Sequence, residues 1–299
     1  MSRLDDAKEA YDNLQVPAEL KERVLQSMER GKKDAKHRVI PFVRVAEAVA
    51  AAAAVLVISV NVSPTVANAM EQVPVLGSIV KIVKVTTYSD KQEKKQMEAT
   101  VKVPEVKVIG TDGKPLTRES KELNAAVSGY LDKIFQMYKK DVAAVSDGEE
   151  GHEEITSDYR IVTDNRRLFS LRVDTVIAMG GSDSFTKIYN IDKKTGKMIT
   201  LKDLFREGSD YKKRISDSIK EQMRAQMKED SSKTYFLDDD QPEWDFKQIK
   251  ADVDFYISDK GELTFVFDKY EVAPGYMGLV EFSVPTANLS NIVKDGYLQ

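Results

Sequence analysis

The sequence contains no cysteine and only two histidines, His37 and His152. Without cysteine the chain has no disulfide, no thiolate metal site and no cysteine nucleophile. Two histidines leave little material for histidine acid–base catalysis or for a histidine metal cluster. The sequence also lacks a glycine-rich phosphate loop, a Walker motif and a Ser-His-Asp order. We therefore expect a protein that is not an enzyme, with no catalytic residues, no cofactor and no bound metal.

A strong charge of one sign is also missing. The chain carries 45 Lys and Arg against 49 Asp and Glu, for a net charge of −4 over 299 residues. This balance gives no global attraction to nucleic acid, so no nucleic-acid partner is expected. The length allows one or two domains with appendages. An exported domain without cysteine is compatible with a Gram-positive cell surface, where export does not favour disulfides.

Residues 39–62, VIPFVRVAEAVAAAAAVLVISVNV, are predicted to form one transmembrane helix. At about 1.5 Å per residue they span about 36 Å, enough for a hydrocarbon core of about 30 Å. Arg44 and Glu47 interrupt the run, but they lie three positions apart and share a helical face. Lys and Arg are dense before the run and absent after it until Lys81, so residues 1–38 are expected in the cytoplasm. A buried helix of a soluble domain is the alternative.

The cytoplasmic tail, residues 1–38, is predicted to contain two short amphipathic helices. Such helices are too short to be stable alone, so they are either a frayed, solvated tail or a helical pair that docks onto a partner. The side chains expected to contact that partner are Tyr11, Leu14, Leu20, Val24, Leu25 and Met28.

A membrane-proximal segment, residues 63–84, follows the predicted membrane helix. Ala67 and Ala69 flank Asn68 in a small-x-small triplet of the kind that signal peptidase cuts, with cleavage expected before Met70. Residues 70–83 repeat apolar side chains at steps of three to four, which predicts a short helix lying on the outer membrane face.

Residues 85–299 are predicted to form an extracellular ligand-binding domain of the α+β class, a twisted antiparallel sheet with two helices. Stretches such as ATVKVPEVKVIG and LFSLRVDTVIAM have the β-rich patterning of strands. The helices are RESKELNAAVSGYLDKIFQMYKKDVAAV and DYKKRISDSIKEQMRAQMKED. The apolar face of the first helix is expected to comprise Leu123, Val127, Tyr130, Leu131, Ile134, Met137 and Tyr138.

Two turns are candidate ligand-binding sites. In EVAPGYMGLVEF, Pro274 and Gly275 force a turn that leaves Tyr276 and Met277 at its tip. A rigid aromatic ring next to an adaptable thioether is good interface material, although an inward-packed Tyr276 is the competing interpretation. In AMGGSDSF, the pair Gly180 and Gly181 forms a hairpin tip with unusual backbone freedom, which is a weaker candidate.

Three stretches resemble the RsiV-type anti-sigma factors of Gram-positive bacteria, over nearly the full length of the chain. They are NVSPTVANAMEQVPVLGSIVKIVK, KKTGKMITLKDLF and FVFDKYEVAPGYMGLVEFSVP, of which the last is the most specific. A similar ectodomain also occurs beside peptidoglycan deacetylase domains. Relatives in that wider group often carry Ala-His after a Gly-Gly pair. Here Ser182 and Asp183 follow the glycines, so any role of that histidine is absent.

The resemblance implies a single-pass protein of the cell membrane that holds an extracytoplasmic-function sigma factor through its cytoplasmic tail. Its ectodomain is expected to bind lysozyme, which exposes the small-x-small site to signal peptidase. A site-2 protease then cuts within the membrane, and the sigma factor is freed to direct a stress response. The alternatives are a surface-anchored lysozyme inhibitor or a cell-wall-binding module without a sigma partner, and a wall-active enzyme or its accessory module.

Overall fold

A computed structural model of the chain describes residues 56–61, 78–146, 148–238 and 243–298. Its larger sheet has seven strands, which lie in the order of the sequence. These strands are β1 Leu56–Asn61, β2 Ile79–Gln92, β3 Met97–Ile109, β4 Glu153–Asp164, β5 Leu168–Met179, β6 Ser182–Asp192 and β7 Lys197–Ile199. Neighbouring strands are antiparallel except for β3 and β4.

The parallel pair β3 and β4 corrects the prediction of a wholly antiparallel sheet. It runs from Met97 beside Glu153 to Val101 beside Ser157. The connection between the two strands contains the helix α1, Thr117–Ala144, of 28 residues. At about 1.5 Å per residue the helix is about 42 Å long, and thirteen residues of extended β3 measure about 43 Å. The helix therefore returns the chain to the end of the sheet where β3 began.

Side chains of α1 replace the missing neighbour along the rest of β3. The Asn124 amide accepts the Val106 N–H at 2.7 Å and donates to the Val106 carbonyl at 2.8 Å. The Ser120 hydroxyl accepts the Val108 N–H at 2.9 Å. Pro104, which has no N–H to donate, lies in the same part of β3, where it pairs with Val85 close to a bulge in β2. The backbone groups of Val106 and the N–H of Val108 thereby find partners without another strand.

The face of α1 that packs on the large sheet matches the predicted apolar face closely. Leu123, Val127, Leu131 and Tyr138 are at most 1% exposed, and Ile134 is also buried. They lie in one cluster with side chains from β2 to β6. The prediction was wrong for Met137, which is 37% exposed because it lies at the border of this face.

A second layer contains the three-stranded antiparallel sheet and the helix α2. The strands are β8 Asp254–Ile257, β9 Leu263–Phe267 and β10 Val280–Val284, in the order β10-β9-β8. The helix α2, Tyr211–Glu229, packs Ile215, Ile219 and Met223 into their core. Phe265, Phe267 and Phe282 fill the centre of this second core. Both predicted helices are thus confirmed, whereas the single predicted sheet is two.

Buried polar contacts join the two sheets within one compact unit, residues 52–299. The Thr163 hydroxyl donates to the Ile257 carbonyl at 2.8 Å, and the Asn190 amide donates to the Phe255 carbonyl at 2.9 Å. Arg172, only 2% exposed, binds Glu281 across the interface. Because each of these groups is satisfied, the interface between the sheets is held in one arrangement.

The N-terminal boundary of the sheet differs from the prediction. Leu56–Asn61, the end of the predicted membrane helix, form the strand β1, whose residue Asn61 lies opposite Lys84. Residues 79–83, predicted to be helical, belong to β2. Both stretches are rich in β-branched residues, and pairing along β2 and β3 supplies their hydrogen bonds. Residues 1–55 and 62–77 lie outside the described part of the chain. Neither α1 nor α2, the helices described, has the apolar length that crossing a bilayer requires.

Candidate functional site

The first candidate element is the tip of the β5–β6 hairpin, residues 179–182. Gly180 has a φ of 63°, and the Met179 N–H donates to the Gly181 carbonyl at 2.9 Å, which closes the turn. A Cβ on either glycine would meet open space. Met179 is 55% exposed. The tip therefore presents bare backbone next to a flexible apolar side chain, which is a surface that can adapt to a partner.

The second candidate element is the loop between β9 and β10, residues 268–279, called here the Tyr276 loop. Pro274 precedes a short 3₁₀ turn, Gly275–Met277. The Tyr276 side chain is 68% exposed, whereas Met277 packs against the second core. Tyr276 thus points outward, and Met277 anchors the loop beneath it. This arrangement favours the binding interpretation of the loop over the inward-packed one.

Tyr270 sets the shape of the Tyr276 loop. Its φ is 68°, a conformation that is uncommon for an aromatic residue, and its side chain is 58% exposed. Its ring occupies the space beside Gly275, where an added Cβ would lie 2.3 Å from the ring. Strained backbone of this kind persists where its surroundings hold it and often marks a binding site. Gly275 is therefore required by a neighbouring ring and not by its own dihedral angle.

The structure brings the two candidate elements together through Lys269. Its backbone N–H donates to the Ser184 carbonyl at 3.0 Å. Its ammonium donates to the carbonyl and hydroxyl of Ser182 and lies 5.0 Å from the centre of the Tyr270 ring. The Thr186 N–H also donates to the Asp268 carboxylate at 2.8 Å. The start of the Tyr276 loop is thus bonded to the β5–β6 hairpin, so the two predicted ligand-binding turns belong to neighbouring elements.

An acidic groove lies beside these two elements, between β6, β8 and β9. It is lined by the carboxyl groups of Asp183, Asp252, Asp254, Asp268 and Glu271 and by the lysines Lys187, Lys250 and Lys269. Five carboxylates against three ammonium groups leave an excess of negative charge when all are ionised. Exposed apolar groups beside an acidic groove are complementary to a partner with a basic surface.

Burial raises the pKa of two of these carboxyl groups. The pKa of Asp268 reaches about 6, because burial and the nearby Glu271 and Asp254 outweigh the N–H of Thr186 and the charge of Lys187. The pKa of Asp254 is also raised by burial, against the opposing effects of Lys187 and the Ile188 N–H. The positive charge of a basic partner would favour the ionised forms of both carboxyl groups and would therefore lower their pKa values.

The other predicted site residues lie outside the described residues, and their predictions stay predictions. These are the cleavage-site residues Ala67, Ala69 and Met70 and the tail residues Tyr11, Leu14, Leu20, Val24, Leu25 and Met28. Sequence reasoning missed Tyr270 and Lys269. The string DKYEVAPG places both residues next to the predicted turn. No local pattern predicts the positive φ of Tyr270 or the contact between Lys269 and Ser182, which are 87 residues apart.

Comparison with known proteins identifies a close relative. The chain is 39% identical over 292 residues to the anti-sigma-V factor RsiV of Bacillus subtilis strain 168, covering 97% of this chain and 96% of that protein. It is 20% identical over 183 residues to the peptidoglycan-N-acetylmuramic acid deacetylase PdaC of the same organism, which covers 60% of this chain and 38% of PdaC.

Residues 202–287 match a domain family described as a protein of unknown function, DUF3298. The crystal structure of a DUF3298 family protein from Pseudomonas aeruginosa PAO1 has a similar fold, with a TM-score of 0.52 and 14% identity. That similarity covers 74% of this chain and 96% of the Pseudomonas protein. The α+β fold with two helices is therefore shared with DUF3298 proteins, and the identity to RsiV extends along almost the whole chain. The chain belongs to the RsiV family of anti-sigma factors.

Proposed function

We propose that this protein is a single-pass membrane protein that sequesters an extracytoplasmic-function sigma factor and senses lysozyme through its extracellular domain. Family membership supports the first part, because the match to RsiV covers 97% of the chain and so takes in most of the tail, residues 1–38. The amphipathic tail helices would bind the sigma factor, and no enzymatic activity is proposed.

The observation that supports lysozyme sensing is the contact between the hairpin tip and the Tyr276 loop. Tyr276 and Met179 are exposed on these two elements, and the acidic groove is lined by Asp183 next to the hairpin tip and by Asp268 and Glu271 of the Tyr276 loop. Aromatic side chains and methionine are enriched at protein interfaces, and carboxylates attract a basic protein such as lysozyme. The hydrogen bonds of Lys269 hold the two elements in a fixed arrangement, so little ordering cost arises on binding.

The membrane anchor that we propose is the part of residues 39–62 that precedes β1. Residues 39–55 number seventeen, the lower end of the range of about 17–25 that spans a bilayer. The small-x-small triplet Ala67, Asn68 and Ala69 then lies outside the membrane, between β1 and β2. We propose that ligand binding opens this segment to signal peptidase and that a site-2 protease cuts the remaining anchor.

An immunoblot of the full-length tagged chain in living cells tests the proposal. Added lysozyme is expected to convert the chain to a shorter form within minutes, and Ala69→Phe is expected to block the conversion. Tyr276→Ala should prevent the response, whereas Tyr88→Ala, at a partly exposed tyrosine on β2 outside both loops, should not. Bound lysozyme without cleavage would instead support a surface inhibitor.

The sigma-factor part needs a separate readout. Deletion of residues 2–38 is expected to release an extracytoplasmic-function sigma factor and raise transcription from its promoters without any ligand. The full-length chain should retain that sigma factor on affinity capture from membranes. Unchanged transcription after the deletion would show that the tail holds no sigma factor.

A further inference from the structure

A second cleft, distinct from the acidic groove, also reaches the hairpin tip. It has a volume of about 600 Å³ and is lined by the β2–β3 turn and by the ends of β3, β4 and β5. Its lining includes Gly180 and Gly181 of the tip, together with Met97, Met179 and Glu153. The cleft therefore adjoins the surface to which a ligand is proposed to bind, but it is built from different strands.

Glu153 is the unusual group in this cleft. It begins β4, between Met97 of β3 and Met179 of β5, and is only 2% exposed. Its Oε2 atom has no hydrogen-bond partner among the residues that the structure describes. A buried polar atom without a partner is rare and costly in folded proteins, and such an atom often marks a place that a ligand completes.

The groups around Glu153 leave its carboxyl group without a counter-charge. Its titratable neighbour in the last turn of α1 is Asp141, another carboxyl group, with which the Glu153 side chain shares a hydrogen bond when one of the two carries a proton. Lys95, in the β2–β3 turn, instead donates to the Val142 and Val145 carbonyls at the end of α1, at 2.8 and 2.7 Å. The remaining charged or titratable groups near it are Tyr138 of α1, Glu98 of β3, and His152 and Glu154 of β4.

Most of these charges are negative. His152 is already engaged with Glu150, at 2.9 Å. Glu93, Glu98 and Glu154 line the mouth of the cleft against a single ammonium group, that of Lys91. A flat or compact cation with several N–H donors could donate a hydrogen bond to the Oε2 atom of Glu153. The same cation would offset the negative charge of Glu153 and Asp141.

We propose that this cleft accepts the guanidinium or ammonium group of an arginine or lysine side chain from the protein that binds the hairpin tip, with Glu153 as its buried counter-charge. The inference rests on the proposed function for the source of the side chain. It adds a specificity site, because Glu153 is almost fully buried beside its strand partner Met179, and only a long, flexible cationic side chain could reach it from the tip.

Methionine methyl resonances of the full-length chain in detergent micelles provide the test. Titration with N-acetylarginine amide is expected to shift the Met97 and Met179 methyl signals and to leave that of Met223, in the core beneath α2, in place. Glu153→Gln is expected to weaken the titration at least tenfold. Glu149 is an exposed carboxylate of the loop before β4 and does not line the cleft, so Glu149→Gln should leave the affinity for the probe unchanged.

The pH dependence separates a binding role from a structural one. Because burial and Asp141 raise the pKa of Glu153 to about 7, the cation must compete with a proton below that pH. Affinity for the probe should therefore rise about 30-fold between about pH 5.5 and about pH 8, and this rise should vanish in Glu153→Gln. Methyl shifts that are equal in both proteins at every pH would overturn the proposal.

Lysozyme binding by wild type and by Glu153→Gln distinguishes failure of this inference from failure of the proposed function. If wild type and Glu153→Gln bind it equally well, the cleft is not a specificity site, although the proposed receptor function stands. If neither binds lysozyme but the probe still shifts the methyl signals of wild type alone, the cleft binds cations and the proposed ligand is wrong.

Discussion

Glu153 should make the stability of the folded domain depend on pH in a defined direction. Burial and the neighbouring Asp141 raise its pKa from 4.5 to about 7. Between these two values the folded chain keeps a proton that the unfolded chain has released. The free energy of unfolding therefore falls as the pH rises from about 4.5, and the loss is complete once the folded carboxyl group ionises above about pH 7.

The size of the effect follows from the shift. One pKa unit corresponds to about 1.4 kcal/mol, so the shift of Glu153 costs about 3 kcal/mol of folding free energy at neutral pH. Glu153→Gln keeps the shape of the side chain and removes the titration. The variant should match wild type near pH 4.5 and exceed it by up to about 3 kcal/mol above pH 7.

Urea unfolding followed by far-ultraviolet circular dichroism, repeated from pH 4.5 to pH 8, measures the difference. The helices α1 and α2 supply the signal, because the single tryptophan, Trp244, is 63% exposed and its emission need not change on unfolding. A constant difference between wild type and Glu153→Gln over the whole pH range would refute the reasoning. A more stable wild type at pH 8 would show that the carboxylate has a partner.

Two further predictions concern the loop and the interface between the sheets. Gly275→Ala places a Cβ 2.3 Å from the exposed Tyr270 ring, so the ring must leave its place beside Gly275 and the surface of the Tyr276 loop changes. We expect lysozyme binding, measured by biolayer interferometry, to weaken at least tenfold with little change in Tm. Arg172→Ala leaves the carboxylates of Asp174 and Glu281 without their buried partner, and urea unfolding should show a loss of about 3–5 kcal/mol. A loss below about 1 kcal/mol would mean that water replaces the guanidinium at no cost.

Local patterns in the sequence predicted the helices and most of the strands. The apolar positions of α1 repeat at helical spacing, and each lies within a few residues of the next, so neighbours along the chain carry the information. The turn at Pro274 and Gly275 was likewise predictable, because these two residue types restrict the backbone wherever they occur. Met137 was misplaced because residues at the border of an apolar stripe depend on what packs against them.

Features made by distant residues were not predictable. The parallel pairing of β3 with β4 depends on the length of α1 relative to β3, which no local pattern encodes. The contact between the hairpin tip and the Tyr276 loop is formed by Lys269 and Ser182, which are 87 residues apart in the sequence. The strand β1 was read as membrane helix because an apolar, β-branched run suits both a bilayer and a sheet edge.

The contacts between the two sheets bear on how the domain folds. Thr163 and Ile257 are separated by 94 residues, and Arg172 and Glu281 by 109. Pairings of such separation form late, because a long loop must close before any contact is gained, and domains that depend on them fold slowly. All seven strands of the large sheet precede the second core in the chain, so the large sheet can assemble first. It must then keep Arg172 and Asn190 exposed to water until the last strand arrives and the second core closes over them.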